Sequence, residues 1–410
     1  MKHPEQYSQR ITPCTINLII ILISFQLLTA CAVPRQENLP KDQFTIVAIP
    51  DTQQYYRADK GKAYFAKQMD WIINNAYTKD DPQDSVPFKN IVFVTHPGDV
   101  IEDGKGDENH PEWLDSLQHI GKLDNVLPYS VALGDHDYNG NERPVDGHTA
   151  FVKYYGPERY KKYSWYGGSS KKGTSHYQYF SAAGITFLHL NLEVDTPDSS
   201  RFAHEDDQLK WAQAILDANK NIPTILTTHA YLTDEMYQGV DGKQVPYNDG
   251  GRFVGHEPSP EVSKAPRENE KRRAGLAIWR NLVKRNNQIF MVLGGNYHEY
   301  LRDQGGREAA INGEYHQVSV NDFNQPVIEV LVNYQDYKNG GDGLIRLISF
   351  DLEKKSILFE TYNTFEDSFR RMNLQPRHGD KVNPRASEFT IPFDFQKRFA
   401  SISLKKSHSE

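Results

Sequence analysis

The stretch SVALGDHDYNG, residues 130–140, opens as an apolar strand and closes on three adjacent ionisable side chains, Asp135, His136 and Asp137. Carboxylates packed this closely repel one another, and burying them is costly unless a cation or hydrogen-bond donors compensate. The segment is therefore either a solvated turn or the corner of a metal site. Its neighbours repeat the pattern. AIPDTQ ends a first apolar run with Asp51 and Gln53, and HPGDVIED ends a second with Asp99 and Glu102. TTHAYL offers His229, and LGGNYHEY offers Asn296 and His298. Asp and Asn favour turns, so one such ending means little. Five in succession point to one site, because ligands of open α/β sheets gather at the carboxyl ends of strands.

The apolar runs themselves are short and rich in β-branched residues: FTIVAIP (44–50), NIVFVT (90–95), PYSVAL (128–133), ITFLHLN (185–191), IPTILTT (222–228) and QIFMVLG (288–294). Helical spacing separates them. Phe65, Met69, Ile72, Ile73 and Ala76 fall on one face; Leu209, Ala212, Ile215 and Leu216 do so after an acidic HEDD, as do Leu276, Trp279, Leu282 and Val283. The alternation predicts an α/β layered fold with buried sheets. After residue 314 the runs YHQVSV, VIEVLVN, GLIRLISFDL and KSILFETYN follow one another without a helix, which predicts an antiparallel extension of a sheet. The glycines of NGGDG (339–343) suit a hairpin turn better than a phosphate loop. Residues 233–270 are polar and long for a connection, as expected of a site-covering element or a surface excursion.

With 12% aromatic and 25% charged residues the chain has the composition of a folded protein rather than a disordered one. Its net charge of −7 and lack of a basic run argue against a nucleic-acid partner. At the amino end, Lys2 and Arg10 precede an apolar run from Ile16 to Leu28, too short to span a bilayer comfortably and suited to a secretory signal. The ending Leu28-Thr29-Ala30-Cys31 resembles a bacterial lipoprotein box, which makes Cys31 the expected lipidation site. The expected organisation is a signal peptide over 1–30, a polar tether over 31–43, a catalytic domain over 44–395 and a polar tail over 396–410. Cys14 and Cys31 are the two cysteines, so the mature domain would hold neither a disulfide nor a thiolate ligand. The expected place is the cell envelope, on the periplasmic or outer-membrane side.

The five blocks D-T-Q, G-D-V-I-E, G-D-H-D, T-H and G-N-Y-H resemble, in order, those of the calcineurin-like metallophosphoesterases: D-x-H, G-D-x-x-D, G-N-H-D or E, a single His, and G-H-x-H. The resemblance runs from about Phe44 to about Phe395 and is greatest to the bacterial exported branch, with DTQ, YYGPERY, WYGGS and NYQDYKNGGDG. It implies a four-layer α/β/β/α sandwich of two mixed sheets flanked by helices. It also implies two divalent cations, one held by Asp51, Gln53, Asp99 and His298, the other by Asp99, Asp135, His229 and Asn296. A hydroxide bridging them would attack phosphorus in line, with His136 assisting the leaving oxygen and Glu102 orienting His136.

Gln53, Asp135 and Asn296 stand where the family usually has His, Asn and His. Each still offers an oxygen, and the harder donor set leans towards Mn, Mg or Fe rather than Zn. An ionised Asp135 lacks the N–H that Asn would aim at a phosphate oxygen and adds negative charge, which favours diesters over monoesters. Two functions follow: hydrolysis of a small phosphorylated substrate, or a catalytically weakened binding lipoprotein that keeps the fold. Beside the blocks, Tyr55, Tyr56, Tyr138, Tyr297 and Tyr300 are cleft-wall candidates with core packing as the alternative, and His96 and His110 read as polar turn residues. Gln335 and Asp336 are candidates to approach the site from the late strands. The oligomeric state is not legible.

Overall fold

Near-continuous apolar strands bury both faces, and here they do so in two sheets stacked against each other. The computed structural model describes residues 42–76, 90–103, 107–138, 148–193, 208–233, 236–238, 244–246, 252–253, 274–297, 299–302, 308–311, 313–370, 373–374 and 385–399. The signal-peptide and lipidation assignments, Cys31 included, lie outside them, as do His298, the HEDD segment and most of 233–270.

The first sheet is built around β1 (Gln43–Ala48), β2 (Ile91–His96) and β3 (Tyr129–Val131), which run parallel. The second contains β4 (Tyr166–Ser169), β5 (His176–Ala182), β6 (Ile185–Leu192), β7 (Thr224–Thr228), β8 (Ile289–Gly294), β9 (Gly313–Val320) and β10 (Pro326–Asn333), in the order β9-β10-β8-β7-β6-β5-β4. In it β6, β7, β8 and β10 are parallel neighbours. The chain then returns to the first sheet. β11 (Leu344–Asp351) pairs antiparallel with β1, and β12 (Ser356–Asn363), β13 (Ser368–Arg370) and β14 (Glu388–Pro392) extend that edge.

The late strands pair antiparallel with one another as expected, β9 with β10 and β11 with β12, but β10 is also a parallel neighbour of β8, and the strands divide between both sheets instead of extending one. NGGDG is not a hairpin turn: β10 and β11 do not pair, and Asn339, Gly340, Gly341, Asp342 and Gly343 all have positive φ. That left-handed run carries the chain from one sheet to the other and lies against the turn after β1, where Gly340 sits on the Gln54 backbone.

The inter-sheet core is aromatic. Phe44 meets Phe187 with ring centroids 5.5 Å apart, and Phe93 stacks on Phe180 at 4.7 Å. Outside the sheets lie α1 (Gly61–Asn74), α2 (Pro111–Ile120), α3 (Thr149–Tyr155), α4 (Gln208–Ala218) and α5 (Ala274–Asn281). Phe65, Met69 and Ile72 of α1, Ala212 and Leu216 of α4, and Trp279 of α5 are buried, as their spacing requires. The result is the four-layer α/β/β/α sandwich. Its order continues beyond residue 395, because α6 (Phe395–Arg398) and Phe399 pack into the inter-sheet core. Among the described residues no helix is long and apolar enough to cross a membrane.

Candidate metal centre

Both sheets direct the carboxyl ends of their parallel strands to one place. Asp51 follows β1, Asp99 follows β2, Asp135 and His136 follow β3, His229 follows β7 and Asn296 follows β8. Asp51, Asp99 and His229 each present a ligand atom within 4.8 Å of the others, and all three are buried.

The geometry around His229 decides its role. Its Nδ1 lies 3.0 Å from the Pro97 carbonyl, which can only accept, so Nδ1 carries the proton and donates. Nε2 then faces Asp99 Oδ1 at 3.2 Å and Asp135 Oδ1 at 3.0 Å. A bare imidazole nitrogen and two carboxylate oxygens around one point need a positive charge between them. Burial pulls the His229 pKa down, but the charges of Asp99 and Asp51 and the hydrogen bonds that its ring would donate to Asp135 and Asp99 outweigh it, and the net shift is well upward. A proton or a metal cation satisfies this arrangement, and a backbone-locked Nδ1–H is how metal-binding imidazoles are held.

Gln53 fits the same demand. Its Nε2 donates to Asp99 Oδ2 at 2.7 Å, while Oε1 is buried with no hydrogen-bond partner among the described residues, an oxygen that a cation would satisfy. Asp51 Oδ2 accepts from the Asn296 amide at 2.8 Å and from Asn333 Nδ2 at 2.9 Å. Asn296 therefore enters the site through its backbone, at a φ of 65° that Asn tolerates well. Asp51, Gln53, Asp99, Asp135 and His229 thus converge, and their hard oxygen donors with one imidazole suit a divalent cation.

His136 stands beside them. Its backbone N donates to Asp99 Oδ1 at 2.9 Å, and its Nδ1 lies 3.3 Å from the Glu102 carbonyl and 3.4 Å from Glu102 Oε2. Burial lowers the His136 pKa, but Asp99, Asp135 and Glu102 together raise it above the usual value. Glu102 is itself buried, which pushes its carboxyl pKa up, against the opposing pull of His136 and Arg57. Arg57 reaches Glu102 Oε1 at 2.5 Å.

Several contributors escape a reading of the sequence. Asp137 Oδ1 accepts from Val100 N at 2.8 Å and Ile101 N at 3.2 Å, and Oδ2 accepts from Gly134 N at 2.8 Å, clamping two blocks together. Gly134 is required there, because a Cβ would collide with the Asp99 backbone N and Oδ1. His96 is no turn residue but the buried end of β2: Gly98 N donates to its Nδ1 at 3.1 Å, so Nε2–H donates to Thr52 Oγ1 at 3.0 Å. Thr52 in turn donates to the Val100 carbonyl at 3.1 Å. His110 caps α2 and takes no part. Tyr55, Tyr138 and Tyr297 are buried core side chains, not cleft walls, and Tyr56 is half-buried; the Tyr300 side chain is outside the described residues. From the late strands, Asn333 is placed at the site by its bond to Asp51, and Gln335 N donates to Asn333 Oδ1 at 3.0 Å. The signal for these was weak, since each acts by holding a group of another block.

The profile of the calcineurin-like phosphoesterases matches residues 44–260. The chain belongs to the calcineurin-like phosphoesterase family. Among curated proteins it is 25% identical over 393 residues to the uncharacterized protein YvnB of Bacillus subtilis strain 168, covering 95% of this chain and 25% of that one. The chain thus spans a quarter of that relative's length. Among solved structures it is similar to a dimetal phosphatase from Danio rerio, with a TM-score of 0.40 and 11% identity over 85% of this chain and 99% of that one. It is also similar to a 5'-nucleotidase precursor from Thermus thermophilus, with a TM-score of 0.39 and 14% identity over 88% of this chain and 58% of that one.

Proposed function

We propose that this calcineurin-like phosphoesterase hydrolyses phosphoric esters with two divalent cations, one involving Asp51, Gln53 and Asp99 and the other Asp99, Asp135 and His229. The observation that carries the reading is the locked His229 ring, whose Nε2 faces the oxygens of Asp99 and Asp135. Bound cations supply Lewis-acid charge that polarises the phosphoryl oxygens and activates water.

The rest is done by the chain's own groups. Gln53 and Asn333 hold the carboxylates of Asp99 and Asp51 at fixed angles, so little reorganisation is needed when charge develops. His136 has one nitrogen engaged by Glu102 and a ring about one-third exposed, which leaves the other nitrogen to give a proton to the departing alkoxide. Asp135 adds a negative charge at the substrate's edge, with 28% of its side chain exposed. A doubly charged monoester meets more repulsion there than a singly charged diester, so diesters are the preferred class. The order of charged, apolar and small residues before Cys31 supports a lipid anchor and an envelope location.

Turnover of bis-(p-nitrophenyl) phosphate and p-nitrophenyl phosphate by Mn-loaded protein tests this. The diester should turn over faster, Asp99→Asn should abolish both activities, and Asp135→Asn should shift the ratio about tenfold towards the monoester, roughly 1.4 kcal/mol for one charge removed. Binding of the esters without turnover, with activity appearing only in the Asp135→Asn, Asn296→His double variant, would instead favour a binding lipoprotein with a weakened site.

A further inference from the structure

The parallel strands that carry the metal centre at one end have a second polar cavity at the other. It has a volume of about 340 Å³ and is lined by residues that precede β7 and β8, by the end of α4 and by α6. Asn221 and Gln288 sit just before β7 and β8, whereas His229 and Asn296 come just after them. The six residues of β8, at about 3.3 Å each, put roughly 20 Å between cavity and metal centre.

The lining is unbalanced in charge. Lys220, Arg285 and Arg398 face one carboxylate, Asp217, which already accepts from Gln213 Nε2 at 3.2 Å. Arg398 is built in. Its Nη1 donates to Asn287 Oδ1 at 2.5 Å and its Nη2 to the Asn287 carbonyl at 2.7 Å, which fixes the guanidinium plane. The fork is unfinished: Arg398 is only 9% exposed, and its buried Nε–H has no acceptor among the described residues. A buried donor of this kind costs stability unless a partner fills it. Burial also pulls the Arg398 pKa down to about 10, the direction expected of a guanidinium taken out of water. Beside it, Phe323 is 52% exposed and Phe399 is buried, giving the cavity an apolar wall. A guanidinium edge, two further cations and an aromatic surface are the elements of a site for an oxyanion carrying a flat apolar group.

We propose that this cavity is a second ligand site, separate from the metal centre, for a small phosphate- or carboxylate-bearing molecule whose anionic end meets Arg398 and whose apolar part lies on Phe323. The proposal stands independently of the hydrolytic reading, because none of its residues belongs to the strand-end centre.

The test uses full-length protein stripped of metal on a chelating resin, titrated calorimetrically with phenyl phosphate and, separately, with benzoate. The stripped protein should bind at least one of them, phosphate selectivity showing as binding of the first alone. Lys220→Glu with Arg285→Glu, both on the exposed rim, should weaken binding at least tenfold, and Arg398→Lys, which keeps the charge but loses the Nε–H, should weaken it as well. Asp99→Asn should leave it unchanged. Absence of binding by the stripped protein, equal affinity in the rim double variant, or loss of binding in Asp99→Asn would overturn the proposal. If Arg398→Lys fails to fold, the rim variant decides the matter alone.

Discussion

The carboxylate of Asp137 accepts the backbone amide of Val100 at 2.8 Å, so the third strand-end turn holds the second in place. The same carboxylate accepts Ile101 and Gly134, and burial together with the charge of Asp99 pushes its pKa up to about 7. Asp137→Asn replaces one acceptor oxygen with an N–H₂ that points at a backbone N–H. The expected result is a stability loss on the order of 1–3 kcal/mol from an unsatisfied buried donor, together with weaker metal binding, because Asp99 and Asp135 lose their common support. Denaturant unfolding and metal titration measure the two effects. An unchanged metal affinity would show that the clamp is only structural.

Arg57 is the second expected sensitivity. It lies more than half exposed on the rim, yet its guanidinium reaches the buried Glu102 that faces His136. Its link to His136 runs through Glu102. Arg57→Ala should lower kcat several-fold with little change in KM or metal affinity, since it frees Glu102 without moving a ligand. Arg57→Lys should recover part of the loss. Equal losses in kcat and metal affinity would mean that the turn itself had shifted.

What could be read in the sequence follows from how each residue acts. Asp51, Asp99, His136 and His229 place their own functional atoms at strand ends, so residue type and position along an apolar run reveal them. Asp137, Arg57 and His96 hold a partner from a neighbouring block of the first sheet, and Asn333 holds Asp51 from the other sheet, pairings that exist only once the strands are assembled. NGGDG misleads for a related reason. Glycines permit positive φ in a hairpin and in a crossover alike, and only the pairing of β11 with β1 instead of β10 distinguishes them. The fold class was legible because burial on both faces writes itself into the central strands β1, β2, β7, β8 and β10.

Buried histidines set the acid limit. Burial holds His176 and His316 at about 4 and His96 at about 3, below the ordinary 6.5, with Arg346 and His229 adding to the shifts of His316 and His96; hydrogen bonds to Val131 and Gln178 oppose the shift of His176. A depressed folded pKa means that the unfolded chain takes up the proton first. Stability from these groups is therefore complete above pH 6.5 and falls as pH drops from 6.5 towards 3, by as much as roughly 1.4 kcal/mol per pH unit for each histidine. The raised pKa values of Asp137, His136 and His229 act in the opposite sense on global stability, so the rings are read one by one: by NMR, the His96, His176 and His316 imidazoles should stay neutral in the folded protein down to pH 5.0. A ring of these three that takes up its proton near pH 6.5 in the folded protein would overturn the expectation.

The crossover between the sheets yields the last prediction. Gly340 has a φ of +78°, and a Cβ built on it would lie 2.5 Å from the Gln54 carbonyl and 2.6 Å from Tyr55 N. Those atoms belong to the short turn Gln53–Tyr56, which places Gln53 beside Asp99. The turn cannot retreat, because Tyr55 is fully buried and its hydroxyl accepts from Gly343 N at 3.2 Å and from Gln68 Nε2 at 3.3 Å. Gly340→Ala therefore combines an unfavourable φ with a backbone collision and should cost on the order of 1–3 kcal/mol. Because the displaced turn carries Gln53, the same variant should bind its first metal ion more weakly, although residue 340 lies far along the chain from the ligands. Ala substituted at Gly184, where φ is +74° and nothing lies within 4 Å, controls for backbone strain alone. If the two variants lose equal stability and both keep wild-type metal affinity, the contact with the Gln53 turn is not what Gly340 provides.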